Sequence, residues 1–137
     1  MKIIFDYSIF FHQKYGGISR YFLNLHKELT KKKIDTKIIA PIHNNLFLRK
    51  YNNNFANNFY IKSYPRYTRK LFKSYNHFFS KAYLKLNEVD IIHITFYQKN
   101  ICNNKNVKNI ITVYDLAHEI YYKEYNNLEE YRPKKSA

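Results

Sequence analysis

Short apolar runs alternate with helical segments along this 137-residue chain. The runs are rich in β-branched residues, as is typical of buried parallel strands, and cover residues 3–7, 34–40, 89–94 and 109–114. Between them, residues 18–32 and 65–86 repeat apolar side chains at helical spacing. Strands that alternate with helices form βαβ units around a parallel sheet. The alternation therefore predicts one α/β domain over residues 1–137, with a Rossmann-like parallel sheet and flanking helices.

The apolar positions of the two helical segments predict which face of each helix is buried. In the first segment they are Ile18, Tyr21, Phe22, Leu25 and Leu29. In the second they are Leu71, Phe72, Tyr75, Phe78, Phe79, Ala82, Tyr83 and Leu86. Residues 43–60 are rich in Asn and are predicted to form a loop.

Composition limits the possible partners and compartments of the chain. The single cysteine, Cys102, excludes an internal disulfide and a cysteine-based zinc site, and it fits a cytoplasmic location. We expect no metal and no cofactor. The formal net charge of +14 would attract phosphates, anionic lipids or nucleic acid. Lys, Asn, Ile and Tyr all have AT-rich codons, so a genome poor in G and C would enrich them together. Codon usage is therefore a second explanation for part of the excess of basic residues.

The only two glycines, Gly16 and Gly17, stand side by side between the first strand and the first helix. Glycine tolerates positive φ and lets a ligand approach the main chain. Free N–H groups at a helix N-terminus suit a phosphate. The alternative is a tight corner with no ligand, since the pair matches neither the dinucleotide fingerprint nor a P-loop.

Ligands of open parallel sheets bind beyond the carboxyl ends of the strands. Polar and aromatic residues follow three of the predicted strands, and we expect them to line a binding cleft. They are Phe10, Phe11, His12, Gln13, Gly16 and Gly17 after the first strand, His93, Thr95, Phe96 and Tyr97 after the third, and Tyr114, Asp115, His118 and Glu119 after the fourth.

Three segments at these strand ends resemble the N-terminal domain of family 4 glycosyltransferases, the large retaining group with the GT-B fold. They are residues 10–22 (FFHQKYGGISRYF), 90–97 (DIIHITFY) and 111–119 (ITVYDLAHE). Their order and approximate spacing match those of the family, and together they span most of the chain. The resemblance is nearest to enzymes that assemble surface polysaccharide or lipopolysaccharide. It implies transfer of a sugar from a nucleotide-sugar donor to a saccharide or lipid-linked acceptor.

The resemblance also implies substrate-binding roles, and these fall on Gly16, Gly17, Arg20, His93, Tyr97, Tyr114, Asp115 and His118. The glycines would face the donor phosphates and the acceptor, and the region of His93 and Tyr97 would line the acceptor pocket. Tyr114 stands where many relatives have a histidine, so a histidine role does not carry over. No catalytic residue is assigned.

Each of these roles has a structural alternative. His93 could be a half-buried strand residue with its hydrogen bonds satisfied. Asp115 could be the N-cap of a helix that begins near Leu116. Arg20, on the first turn of its helix, could simply be solvated.

The family's second domain holds most of the sugar nucleotide and carries a Glu-x7-Glu pair. No two glutamates of this chain are spaced in that way. We therefore expect a truncated N-terminal domain without the donor-binding domain, and no turnover by these residues alone.

Residues 62–85 contain basic and aromatic residues and no acidic one. One interpretation is a basic α/β nucleic-acid-binding or interaction domain without catalysis. However, the sequence has no nucleic-acid-binding motif, and we expect the protein not to bind nucleic acid. The other is a helix that rests on an anionic membrane surface, with the protein peripheral on the inner face. Its cationic side would comprise Arg66, Arg69, Lys70, Lys73, Lys81 and Lys85.

Overall fold

A computed structural model describes residues 1–51, 58–97, 102, 104 and 106–114. Six strands and four helices follow one another in these residues. In chain order they are β1 (Lys2–Phe5), α1 (Ser8–His12), α2 (Gly17–Lys31), β2 (Asp35–Ile38), β3 (Ile42–His43), α3 (Leu46–Lys50), β4 (Phe59–Tyr60), α4 (Arg69–Leu86), β5 (Ile91–Ile94) and β6 (Lys108–Ile111).

The main sheet has four parallel strands in the order β2-β1-β5-β6, which confirms the predicted α/β class and the Rossmann-like sheet. Phe5 at the end of β1 is in register with Ile38 on one side and His93 on the other. The chain thus adds β2 on one side of β1 and later adds β5 on the opposite side. The carboxyl ends of β1 and β5 therefore form a topological switch point, where ligands of such sheets bind.

The core lies around β1 and the two helices that follow it. Ile4, Phe5, Phe10 and Phe22 are fully buried, and the rings of Phe5 and Phe22 lie 5.8 Å apart. Each such side chain contributes about 2 kcal/mol by leaving water. This packing fixes α1 and α2 relative to the end of β1.

The buried face of α2 is rotated from the predicted one. Phe22 is buried as expected, but Tyr21 is 46% exposed and His26 is buried instead. The His26 ring lies within hydrogen-bonding distance of the Tyr51 hydroxyl (3.0 Å) and the Thr36 carbonyl (3.2 Å). A histidine with both nitrogens engaged can be buried, whereas apolar periodicity counts it as solvent-facing.

The predicted buried face of α4 is wrong for half of its residues. Asn76, Ser80 and Leu84 are buried. The side chain of Asn76 accepts from the Ile42 N–H (2.9 Å) and donates to the Ile42 carbonyl (2.8 Å), so it pairs with β3 as a strand would. With this pairing, Phe72, Phe79 and Tyr83 remain packed against the core as predicted. Leu71, Tyr75, Phe78 and Leu86 turn outward and are exposed.

Two further predictions are corrected. The Asn-rich segment contains regular structure: β3 and β4 form a parallel pair, and Asn45 caps α3 by accepting the Leu48 N–H at 2.9 Å. The fourth strand is not buried, since Ile110 is 43% and Ile111 46% exposed. It stands last in the described sheet order, so one of its edges has no neighbouring strand there.

No helix in the described part of the chain has both the length and the apolar character needed to cross a bilayer.

Candidate functional site at the carboxyl ends of β1 and β5

A buried carboxylate, Asp6, joins the ends of β1 and β5. Thr95, directly after β5, donates its N–H (2.7 Å) and its hydroxyl (2.6 Å) to the Asp6 carboxylate, and the Ser8 hydroxyl donates to it from α1. The Thr95 hydroxyl oxygen also accepts the Ile9 N–H at 3.1 Å. Burial raises the pKa of Asp6, against the lowering effect of these hydrogen bonds. The network fixes the start of α1 over the switch point.

The end of α1 carries His12 to the surface at the edge of the sheet where β1 and β5 end, the region that we call the crevice. The helix buries Ser8, Ile9, Phe10 and Phe11, whereas His12 is exposed. The His12 ring lies 5.6 Å from that of Phe96, which follows β5, and its Nδ1 accepts from the Arg69 guanidinium at 3.2 Å. Partial burial and the nearby cations of Arg69 and Lys73 lower the pKa of His12. The sequence placed His12 at the correct sheet edge but gave it no role of its own.

The Gly16–Gly17 turn leads directly into α2, which begins at Gly17. Gln13 caps the helix from outside, because its side-chain oxygen accepts the Ser19 N–H at 3.1 Å. The first N–H groups of a helix have no acceptor within the helix. A Cβ on Gly17 would meet nothing within 4 Å, so a ligand can reach the main chain of this first turn.

Neither glycine uses the positive φ that this residue type tolerates. Gly16 has φ 162°, which is extended backbone that any residue adopts. The absence of a side chain matters there for a different reason: a Cβ on Gly16 would lie 2.4 Å from the Gln13 carboxamide and would displace the cap.

Arg20 lies on the side of α2 that faces α3. Its guanidinium carbon is 5.4 Å from the centre of the Phe47 ring. With Lys27 and Lys50 it lines a cavity of about 210 Å³ between the two helices. The side chain is thus in contact with an aromatic ring, and its role towards an anionic substrate stays a prediction.

His93 and Tyr114 meet at Phe22 of α2. The His93 ring is 5.0 Å from Phe22 and its Nε2 is 2.9 Å from the Thr112 hydroxyl, while the Tyr114 ring is 6.0 Å from Phe22. Burial lowers the pKa of His93 and raises that of Tyr114. His93 thus has the surroundings of a packed, hydrogen-bonded strand residue, whereas Tyr114 follows β6 and its buried hydroxyl has no hydrogen-bond partner among the described residues. The proposed substrate contacts of both residues stay predictions.

Of the three remaining candidate substrate-binding residues, only Tyr97 lies in the part of the chain that the structure describes. Tyr97 is 53% exposed beside Phe96, with the two ring centres 5.7 Å apart, and its substrate role stays a prediction. Asp115 and His118 lie outside the described residues. Within those residues, no three His, Cys, Asp or Glu side chains are grouped as metal ligands would be.

Comparison with protein families gives one match. The model of glycosyltransferase family 4 matches residues 15–136, which include both glycines, α2 and the ends of β5 and β6. No match was found among curated proteins or among solved structures. The parallel sheet and its strand order agree with the family match, and the match supports sugar transfer as the general activity. The chain belongs to glycosyltransferase family 4.

Proposed function

We propose that residues 1–137 form the acceptor-side domain of a glycosyltransferase. The enzyme would move a sugar from a nucleotide-sugar donor to a saccharide or lipid-linked acceptor during synthesis of surface polysaccharide or lipopolysaccharide. One observation carries the proposal: in a family 4 chain, the exposed His12 and the open first turn of α2 both lie in the segment that follows β1, at the switch point of the sheet. The donor is a substrate, and no metal or cofactor enters the proposal.

The crevice offers complementary groups for a sugar and for an anion. The N–H groups of the first turn of α2, together with the positive end of the helix dipole, favour a phosphate oxygen. The rings of Phe96 and Tyr97 provide apolar surface for a sugar ring. Fixed backbone donors and cations of this kind stabilise charge on a departing diphosphate. The family resemblance implies that most nucleotide contacts lie on a second domain, and on this ground we assign the acceptor to this one.

Calorimetry on the 137-residue chain tests this assignment. We expect UDP-glucose and GDP-mannose to bind more weakly than about 1 mM, because the donor contacts are proposed to lie elsewhere. Micromolar binding of either nucleotide sugar, or sugar transfer by this chain alone, would contradict an acceptor-side role.

The exposed face of α4 supports a second part of the proposal, a position on a membrane surface. Leu71, Tyr75, Phe78 and Leu86 are 70%, 51%, 74% and 83% exposed. At helical spacing they fall within about 80° of arc. We propose that this apolar stripe rests on the anionic inner face of the cytoplasmic membrane.

Lysines border this stripe, and the carboxylates next to it, Glu88 and Asp90, follow the C-terminal end of α4 and share a cavity with Lys81 and Lys85. Lys70, Lys81 and Lys85 are exposed on one side of it, and the sequence has no acidic residue from Thr36 to Asn87. Each lysine near an anionic bilayer contributes about 1 kcal/mol. Arg69, which was expected on this cationic side, contacts His12 instead. Exposed aromatic and basic residues also suit single-stranded nucleic acid, but Leu71 and Leu86 favour acyl chains over bases.

Co-sedimentation with vesicles of phosphatidylglycerol or phosphatidylcholine tests the membrane position. We expect binding that requires phosphatidylglycerol and weakens as salt shortens the Debye length. Replacing Phe78 by Ser should lower the partition coefficient about tenfold, since roughly half of a buried phenylalanine's transfer energy is lost. Phe59→Ser is the matched control, because Phe59 is 66% exposed on β4 rather than on α4.

Three results would contradict the membrane position. They are equal binding to both vesicles, equal losses in the Phe78 and Phe59 variants, and a preference for a single-stranded oligonucleotide over phosphatidylglycerol vesicles.

A further inference from the structure

A cavity of about 430 Å³ opens beside the crevice at the switch point. Its wall carries cations and hydrogen-bonding groups, from Lys14, Asn44, Lys62, Ser63, Tyr64 and Arg69. It adjoins the crevice through two of these residues: Lys14 follows Gln13, the cap of α2, and Arg69 contacts His12.

Arg69 is held in place on aromatic rings. Its guanidinium carbon lies 5.9 Å from the centre of the Phe11 ring and 6.0 Å from that of Tyr64. The two rings are 4.7 Å apart, and the Tyr64 hydroxyl donates to the Phe11 carbonyl at 3.1 Å. With one N–H group given to His12, the planar guanidinium keeps further donors for a ligand. The arginine is therefore ordered before any anion arrives.

The opposite wall is fixed by backbone hydrogen bonds. The Lys14 carbonyl accepts the Leu46 N–H at 2.8 Å, and the Asn45 side chain donates to the Gln13 carbonyl at 2.7 Å. These bonds tie the loop that carries Lys14 to the segment that carries Asn44. The cavity thus has two walls set by the fold.

Among the described residues, no carboxylate lines the cavity or pairs with its cations. The segments that supply the wall, residues 7–27 and 36–87, contain no acidic residue. The ion pairs of the described residues, Met1–Asp90 and Lys31–Glu28, involve other parts of the molecule. Cations that converge without a partner attract an anion from solution.

We propose that this cavity binds a phosphate or diphosphate group of the acceptor, an inference that rests on the proposed glycosyltransferase function. Arg69 would form paired hydrogen bonds to phosphate oxygens, and Lys14 and Lys62 would flank it as point charges. The Ser63 hydroxyl is an additional donor. The acceptor class is then a glycosyl phosphate or a saccharide joined to a lipid through diphosphate, with its sugar directed along the crevice past His12.

Binding of inorganic pyrophosphate to the 137-residue chain tests the cavity. We expect Lys62→Gln to weaken pyrophosphate binding about tenfold. Arg69→Gln should weaken it more, because it removes the proposed paired hydrogen bonds to a charged group. Arg69→Lys should lose less than Arg69→Gln, because it keeps the charge. Lys37→Gln, an equal charge change on the edge strand β2, should bind as the unchanged chain does.

The pKa of His12, measured by nuclear magnetic resonance of its imidazole, provides a second test that does not depend on the measured affinities. A bound anion next to Arg69 should raise the pKa of His12, and at a pyrophosphate concentration below saturation this rise should be smaller in Lys62→Gln. Lys62 is exposed, so its replacement leaves the core unchanged. Native-like spectra with unaltered pyrophosphate affinity in both the Lys62 and the Arg69 variants would overturn the proposal.

Competition identifies the source of the phosphate. We expect glucose 1-phosphate to displace pyrophosphate and phosphatidylglycerol vesicles not to do so. The reverse result would assign the cavity to lipid headgroups and overturn the acceptor inference. Sugar-transfer assays keep the two proposals separate. If the enzyme transfers no sugar but the chain still binds pyrophosphate, the glycosyltransferase proposal is contradicted. If the enzyme transfers sugar but the Lys62 and Arg69 variants bind pyrophosphate as tightly as the unchanged chain, the cavity proposal is contradicted.

Discussion

Gly16 and Gly17 provide a matched pair of substitutions that separates ligand access from folding. Valine at position 17 would project from the first residue of α2 into open space, since a Cβ there meets nothing within 4 Å. Alanine at position 16 would lie 2.4 Å from the Gln13 carboxamide and would break its hydrogen bond to the Ser19 N–H. The first change affects what can approach the helix, and the second affects the helix itself.

The two changes should differ in magnitude as well as in kind. Gly17→Val should alter the free energy of unfolding by less than about 0.5 kcal/mol, as for most surface substitutions. If a substrate phosphate oxygen accepts from this first turn, losing that charge-assisted hydrogen bond should lower kcat/KM for sugar transfer about ten- to a hundredfold. Gly16→Ala should cost about 1 kcal/mol of stability through the lost cap.

Urea denaturation followed by circular dichroism gives the stabilities, and transfer of labelled sugar by the intact enzyme gives the activity. Full activity of a folded Gly17→Val variant would refute the assignment of this turn to a ligand. Unfolding of Gly17→Val would instead show that the turn is only a tight corner.

Other residues give predictions for stability. Burial lowers the pKa of His43 to about 4, below the ordinary 6.5, so the contribution of its neutral form is complete above pH 6.5 and is lost as pH falls towards 4. In urea denaturation, stability should fall by about 2 kcal/mol more from pH 7.5 to 5 than in His43→Gln, and equal slopes would contradict this. Thr95→Val removes a donor from Asp6 and the acceptor of the Ile9 N–H. This substitution should lower the free energy of unfolding by about 2–4 kcal/mol in the same assay, and a loss below about 1 kcal/mol would contradict the prediction. Asn76→Ala removes both bonds to β3 and should cost about 2–3 kcal/mol; an unchanged urea midpoint would rule this out.

The order of the four strands of the main sheet and of the two long helices, α2 and α4, was predictable because its signals are local. Runs of β-branched residues and the helical repeat depend on neighbours within one or two turns. The parallel sheet followed from the alternation and was confirmed. Strand-end reasoning also located the edge at which Asp6 and Thr95 meet, since carboxyl ends of parallel strands share one side of a sheet.

The orientation of the helices was less predictable because it depends on specific partners. Asn76 is buried since it pairs with β3, and His26 is buried since Tyr51 and Thr36 lie within hydrogen-bonding distance of its ring. The periodicity of apolar residues cannot predict the burial of a polar residue whose hydrogen bonds are satisfied. The same limitation hid the exposed stripe that contains Phe78.

The phosphate cavity could not be predicted from local sequence. Arg69 and His12 are 57 positions apart and meet only in the folded chain. The basic residues of positions 62–85 suggested a charged surface, but nothing in their spacing separated Arg69 from its neighbours. The conformation of Gly16 was likewise missed, because the Gln13 cap determines what fits there.

Sugar transfer by the intact enzyme tests the central claim most directly. The enzyme is expressed with any reading frame that follows codon 137, and is given labelled UDP-glucose, UDP-galactose or GDP-mannose with a synthetic lipid-diphosphate monosaccharide. We predict transfer of label from at least one donor to the acceptor, and loss of that transfer in Gly17→Val. Absence of transfer from every donor by a folded enzyme that binds both substrates would contradict the assignment of this chain as the acceptor-side domain of a glycosyltransferase.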